Sequence, residues 1–412
     1  MPELPEVEEA RKMIADAITG YTITEVDTVE DNLVYDGVTP HQFSKELVGR
    51  TVTGCERKGK LFWMTLDGKG RFPVMHFGMT GMIQFRGHRP MSYRRKYDLG
   101  DTWPPKFHRF VMKFKSPKGD DVQELTFIDP RRLGRLRLVP DPVPSHPPVS
   151  ELGYDPVQNQ PTLEEFKKLL KPKHGVVKSV LMDQSFCAGV GNWIVDEVLY
   201  QARVHPQCRV PELTDVQVAD IHRLLREICV KALDVDGDWE RFPTNWLFFY
   251  RWDRGKKKTH KKKETHDHSH SPSPEGHDHT ADDGPKIPEH LILPNGKPAT
   301  VAWVTVGGRS SAYVPAVQKM PSHGSKKRKD EDDGSDFTDA SYEEKPNHKK
   351  AKATRGKQAK APASASEGKE DVNPTKNTNE EDVKPTKNTN EEDVKPHYNL
   401  RAERAPRRAS RK

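Results

Sequence analysis

The residues best equipped for covalent chemistry stand at the start of the chain, Met1-Pro2-Glu3-Leu4-Pro5-Glu6-Val7-Glu8-Glu9. Pro2 is small enough for the initiator methionine to be removed, which leaves a terminal proline with a free secondary amine. An α-amino group titrates near pH ~7.7–8, so a useful fraction is unprotonated and nucleophilic at neutral pH. Such an amine attacks an electrophilic sugar or carbonyl carbon and forms an iminium, as lysines do in Schiff-base enzymes. Glu3 follows at once, a carboxyl able to move protons beside the nucleophile. The plainer reading is that proline and acidic residues merely suit the first turn of a helix.

Further candidates recur along the chain. Lys60 sits in Arg57-Lys58-Gly59-Lys60-Leu61, where the glycine lets a strand begin close to another backbone. His76-Phe77-Gly78-Met79-Thr80-Gly81 holds a methionine in a glycine-flanked loop, poorly placed for a core and suited to wedge between base steps. Asp129-Pro130-Arg131-Arg132-Leu133-Gly134 puts two arginines in a turn, and His108 lies in the basic run Lys106-Phe107-His108-Arg109-Phe110. In Gln184-Ser185-Phe186-Cys187-Ala188-Gly189-Val190-Gly191-Asn192, small residues precede a helix start. There a phosphate can approach free N–H groups at the positive end of the dipole, with Asn192 both cap and phosphate donor. Gly307-Gly308 between two β-rich runs reads as a hairpin turn with Arg309 at its tip. Each of these has an ordinary alternative: a solvated lysine or histidine, surface arginines, a simple N-cap.

The elements that must position these groups follow from periodicity. Val7, Ala10, Ile14, Ala17 and Ile18 recur at helical spacing and Gly20 is a stop. Strands are expected at 21–27, 51–56, 60–66, 71–77, 107–115, 122–128 and 133–139, with Asp67-Gly68 turning a hairpin. One helix and many short strands predict an α+β fold, a two-layer antiparallel β-sandwich with the helix at its edge. The proline-rich run 140–148 marks a boundary. Beyond it the chain reads as helical: Thr162 and Glu165 form a capping box for 163–170, a helix ends near Gln184, another starts at Asn192, and 213–233 is amphipathic. The aromatic string 242–252 is expected to close the second core rather than stack on bases.

Composition bounds the partners. The 412 residues carry a net charge of +7 and a pI near 9.0, which fits a polyanion. No apolar run is long enough to span a membrane and none resembles a leader. Four cysteines without CxxC pairing read as reduced thiols. Residues 256–289 are rich in histidine and lysine but lack apolar neighbours, so a disordered insertion is expected rather than a metal site. Residues 321–412 contain Lys326-Lys327-Arg328-Lys329 and an eleven-residue repeat without an apolar stripe. They read as a disordered basic tail with nuclear-import and loose DNA-binding potential.

The N-terminal run, the Met79 loop, the Asp129–Gly134 loop, Glu151-Leu152-Gly153-Tyr154-Asp155-Pro156 and Val180–Tyr200 together resemble the formamidopyrimidine-DNA glycosylases, bifunctional base-excision repair enzymes. The resemblance implies a catalytic domain over 2–140, a linker over 141–156, and a helical domain over 157–255 with a helix–two-turns–helix. It further implies a finger hairpin over 290–320. Pro2 is then the Schiff-base nucleophile, Glu3 its proton shuttle, and Glu6 a sugar-orienting group. Lys60, Asn192 and Arg309 hold phosphates, with His76 and His108 on the DNA. Met79, Arg131 and Leu133 fill the gap left by a flipped base. Leu133 stands where the family usually has phenylalanine, so it wedges but stacks less. Val314 and Val317, with Ala299 and Ala302, occupy the positions of the bacterial zinc cysteines, so a metal-free finger is implied, as in the plant and fungal branch.

The expected activity is excision of oxidised or ring-opened purines from duplex DNA, followed by β,δ-elimination, with no cofactor, in a nuclear monomer. Two alternatives stay open: a damaged-DNA-binding protein without chemistry, and a lyase or oxidised-pyrimidine glycosylase of endonuclease VIII type.

Overall fold

The structure, a computed structural model, describes residues 2–91, 97–252 and 288–321, all within one compact unit. The tail and nearly all of the histidine-rich segment lie outside the described residues. In the first half α1 (Leu4–Ile18) is followed by β1 (Thr22–Thr28), α2 (Pro40–Leu47), β2 (Val52–Lys58) and β3 (Leu61–Leu66). Then come β4 (Phe72–His76), β5 (Met82–Phe85), β6 (His108–Lys115), β7 (Val122–Ile128) and β8 (Arg135–Val139). They form two four-stranded antiparallel sheets, ordered β1-β6-β7-β5 and β2-β3-β4-β8. Phe77 joins the sheets, its ring 4.8 Å from Phe62 on one and 5.7 Å from Phe127 on the other. The expected sandwich is present.

The second half contains α3 (Leu163–Leu170), α4 (Val177–Met182), α5 (Asn192–Gln201), α6 (Asp215–Leu233) and the hairpin β9 (Ala302–Val306)–β10 (Arg309–Tyr313). Thr162 and Glu165 cap α3 reciprocally, as their spacing predicts. The helix expected from Leu213 starts two residues later, because the Thr214 hydroxyl accepts the Gln217 N–H and stops the chain there. The aromatic string packs: Phe242, Trp246 and Phe248 are buried around Trp193, Phe249 and Tyr250 are buried in the same core, and Trp252 is partly exposed.

Three readings need correction. The helix α2 and the strand β5 are absent from the expected elements, although Thr39-Pro40-His41-Gln42 carries a capping box that the structure forms. The first core runs past residue 140, taking in Val143 and Val149. Lys60 does not start a strand; with Gly59 it forms the two-residue turn between Lys58 and Leu61.

The helix α1 belongs to both halves. Val7, Ala10, Ile14 and Ile18 pack into the sandwich core, while Leu4 is buried in the second. At ~1.5–3 kcal/mol for each fully buried aliphatic side chain, this one helix ties the two cores together.

Candidate active site where the two cores meet

Strand register brings the singled-out residues to one end of the sandwich. Across one sheet, Leu61, His76 and Arg135 lie in a row, which sets the Gly59-Lys60 turn beside the end of β4 and the start of β8. Across the other, Met82, Ile128 and His108 lie in a row. The loops crossing between sheets, 77–81 and 129–134, therefore emerge together, next to Lys60 and His108.

One buried carboxylate organises both loops. Asp129 accepts the Thr80 hydroxyl at 2.8 Å, the Gly134 N–H at 2.6 Å and the Arg131 N–H at 3.2 Å. Gly78 has φ +58, and a Cβ there would fall 2.3 Å from the Leu133 carbonyl oxygen. Only glycine allows the loops to touch, and so Met79, Arg131 and Leu133 form one group. Met79 and Leu133 are half-buried and Arg131 is exposed. The two arginines are not equivalent: Arg132 binds Asp31 at 2.8 and 3.0 Å, whereas the Arg131 guanidinium makes no hydrogen bond or ion pair with the described residues. Of the two, only Arg132 has a side-chain partner among the described residues. The His76 Nδ1 accepts the Gly78 N–H, and the His108 Nδ1 lies 2.9 Å from the Pro105 carbonyl.

The start of the chain meets this end of the sandwich through α5. The Glu3 carboxylate is buried and accepts the Trp193 N–H at 2.8 Å and the Ile194 N–H at 3.1 Å. It satisfies two of the orphan donors at the start of α5, where the helix dipole favours a negative charge. Gly191 is the N-cap, and a Cβ on it would sit 2.4 Å from Glu3 Cδ. Gly189, at φ +92, brings its backbone against Leu4 and Gly59, and its carbonyl accepts the Leu4 N–H at 3.1 Å. The expectation for this stretch is thereby corrected. Asn192 is the first helical residue, not the cap; its Nδ2 donates to the Ser310 carbonyl at 3.1 Å. The two glycines admit Glu3, Leu4 and Gly59, and the first free N–H groups hold a protein carboxylate. The close backbone approach expected at Gly59 is realised, its neighbour being Gly189.

Glu6 accepts the Glu3 N–H at 2.9 Å, and burial, then the Glu3 charge, raises its pKa to about 7. Burial, reinforced by Glu6, Asp238 and Asp236, raises Glu9 to about 8. The segment after α6 causes this crowding: Gly237, at φ +70, lies against the Pro5 backbone, and Asp236 pairs with Lys12 at 2.9 Å.

Two buried networks hold the frame. Arg57 binds Asp155 at 2.5 Å and Glu8 at 2.8 Å, and Asp155 also accepts the Gly59 N–H at 2.9 Å. The turn carrying Lys60 is thus tied to both α1 and the interdomain segment. On the other side Lys178 donates to Asp196 and Ser311, both at 2.6 Å. Asp196 in turn accepts from Arg251 and the Ala312 N–H. Burial lowers the Lys178 pKa, and Asp196 opposes that. This network fixes β10, hence Arg309, to α4 and α5. Gly307 (φ +53) and Gly308 (φ +69) make the turn between Val306 and Arg309, as their spacing predicts. Val314 is fully buried in the second core, and Val317, Ala299, Val301 and Trp303 pack against it. Sequence reasoning missed Asp129, Asp155, Arg57, Asp31 and Lys178; a lone acid or base carries no local signal of the partner that buries it.

A β-sandwich whose methionine and arginine loops share one end with a lysine turn, set against the start of a helix in a second, helical core, defines the class of protein. Residues 1–136 match the model for the formamidopyrimidine-DNA glycosylase N-terminal domain, and 152–243 that for its H2TH domain. The chain is 35% identical over 321 residues to a formamidopyrimidine-DNA glycosylase of Arabidopsis thaliana, spanning 78% of this chain and 71% of that one. It is 29% identical over 242 residues to that of Bacillus subtilis, covering 58% and 81%. The fold matches the Lactococcus lactis enzyme solved with formamidopyrimidine-containing DNA, at TM-score 0.56 and 22% identity over 77% of this chain and 100% of that one. The chain belongs to the formamidopyrimidine-DNA glycosylase family.

Proposed function

We propose that this chain excises oxidised or ring-opened purines from duplex DNA and then cleaves the abasic strand, through an imine at Pro2. With Met1 removed, the Pro2 nitrogen attacks C1′ of the damaged nucleotide. The bond from C1′ to the base breaks, and the base leaves with a proton delivered through Glu3. The C1′–O4′ bond then breaks, a proton going to O4′, and the opened sugar is held as an iminium that acidifies the C2′ hydrogen. Loss of that proton expels the 3′ phosphate, and a second elimination expels the 5′ phosphate. The nitrogen itself stores the electron pair, so no cofactor enters.

The observation that carries this reading is the pair of hydrogen bonds from Trp193 and Ile194 to Glu3. They hold Glu3 at the start of α5, where Leu4 and the Gly59-Lys60 turn approach Gly189, and this supports a role for the neighbouring Pro2. Lys60, Asn192 and Arg309 bind phosphates around the lesion; Met79, Arg131 and Leu133 fill the vacated stack. His76 and His108 contact the backbone, and Glu6 orients the sugar. A nuclear location belongs to the same proposal and is supported by the Lys326–Lys329 cluster.

Borohydride trapping on a duplex with one abasic site tests the chemistry, with Pro2→Gly and Glu3→Gln beside the native protein. A covalent adduct at residue 2, lost in Pro2→Gly, is expected; binding without any adduct defeats the enzyme reading. A formamidopyrimidine duplex then separates glycosylase from lyase.

A further inference from the structure

Phe107 lies between the Lys106 and His108 of the basic run, one residue ahead of β6. Its side chain is 44% exposed and makes no ring contact with another described aromatic. Its backbone has φ +67, the left-handed region that L side chains rarely adopt and that is a true outlier for a bulky residue. Hydrogen bonds on both sides impose this conformation. The Phe107 carbonyl accepts the Asp129 N–H at 3.0 Å, and the Lys106 N–H donates to Leu99 at 2.8 Å. Glycine or asparagine would satisfy the same bonds without strain. The chain instead holds a large aromatic there and turns it to solvent.

Its position says what it faces. The row Met82–Ile128–His108 puts Phe107 at the end of the sandwich from which the Met79 and Arg131 loops emerge. The residue it bonds, Asp129, is the one that roots both loops. In those loops Leu133 offers a wedge without an aromatic face. Strain of this kind, held by the surrounding hydrogen bonds, marks functional positions, and an exposed ring beside cationic side chains is what a base stacks on.

We infer that Phe107 is a DNA-stacking residue, supplying beside the Arg131 loop the aromatic surface that Leu133 lacks. The inference rests on the activity proposed above and adds a specificity-determining contact to it. The ring packs on a base exposed where the duplex is opened, next to the phosphate held by His108.

The test compares Phe107→Gly, Phe107→Asn and Phe107→Tyr with the native chain, using thermal melting and anisotropy with a duplex carrying a tetrahydrofuran abasic analogue. The Gly and Asn variants are expected to melt at the same temperature or higher, because strain is relieved, yet to bind roughly tenfold more weakly. Tyr restores the affinity. Unchanged affinity in Phe107→Gly overturns the inference, and so does a loss of affinity that comes with a lower melting temperature, which would mark a packing role. A native protein that fails to prefer the abasic duplex over an undamaged one defeats this inference and the proposed activity together. A native preference with an indifferent Phe107→Gly defeats this inference alone.

Discussion

Gly191→Ala separates steric from conformational effects at the start of α5. Gly191 has φ −131 and ψ −158, extended backbone that alanine adopts freely, so the substitution adds only a methyl group. The three atoms nearest that methyl all belong to the Glu3 carboxyl group, at 2.4, 2.6 and 2.7 Å. The carboxylate must leave, and with it the bonds to the Trp193 and Ile194 N–H groups. Hydrogen bonds to a charged group contribute ~1.5–3 kcal/mol each, so after partial rehydration the loss is about 3 kcal/mol. For a folded region of this size, that lowers Tm by roughly 6–12 °C. If Glu3 moves the proton as proposed, its displacement is expected to slow borohydride trapping by about 100-fold. The deciding assay is a double-mutant cycle read by thermal melting and by trapping rate. In a Glu3→Ala background the clash is gone, and Gly191→Ala is expected to be neutral or slightly stabilising. A Gly191→Ala penalty of equal size in both backgrounds would refute the reasoning, because the methyl group would then be striking something other than Glu3.

Other perturbations have equally definite outcomes. Asp155→Ala leaves the buried Arg57 with Glu8 as its one carboxylate and frees the Gly59 N–H; it should cost about 3 kcal/mol in denaturant unfolding and weaken DNA binding through the Lys60 turn. Glu9 and Glu6 keep their protons in the folded protein up to about pH 8 and about pH 7, against 4.5 when unfolded. The folded state therefore binds more protons above pH 4.5, so stability falls as pH rises through that window. Glu9→Gln is expected to raise Tm at pH 8, leave it unchanged at pH 5 and flatten the profile between. A chelator should leave the melting curve untouched, whereas Val314→Ala, which removes buried aliphatic surface from the hairpin's anchor, should cost about 2 kcal/mol.

Much of the sandwich was legible because alternation and turn residues act locally. Runs such as 60–66 and 71–77 announce strands wherever they lie, and Gly307-Gly308 announces its turn. The short strand β5 escaped because four residues hold too few alternations, and α2 escaped although its capping residues were in plain view. In the site, the residue types were readable and their spatial grouping was not. Nothing in Gly78 says that it touches the Leu133 carbonyl, or in Asp129 that it ties two loops into one.

The sequence by itself determined the chemistry on offer. Pro2 is a proline that would offer a secondary amine once Met1 is removed, Met79 is an apolar side chain between glycines, Arg131 and Lys60 bring positive charge, and Val314 and Val317 have side chains that cannot bind zinc. These are properties of residue type and near neighbours, and folding does not alter them. Tertiary structure alone decided which partners those groups have. It gave the Trp193 and Ile194 N–H groups of α5 to Glu3 instead of leaving them free, paired Arg132 but not Arg131 with Asp31, and raised Glu6 and Glu9 by burying them together. The reason is physical: desolvation, charge proximity and close backbone approach depend on distance in space, and residues as far apart as Glu3 and Trp193 acquire that distance only when the chain has folded.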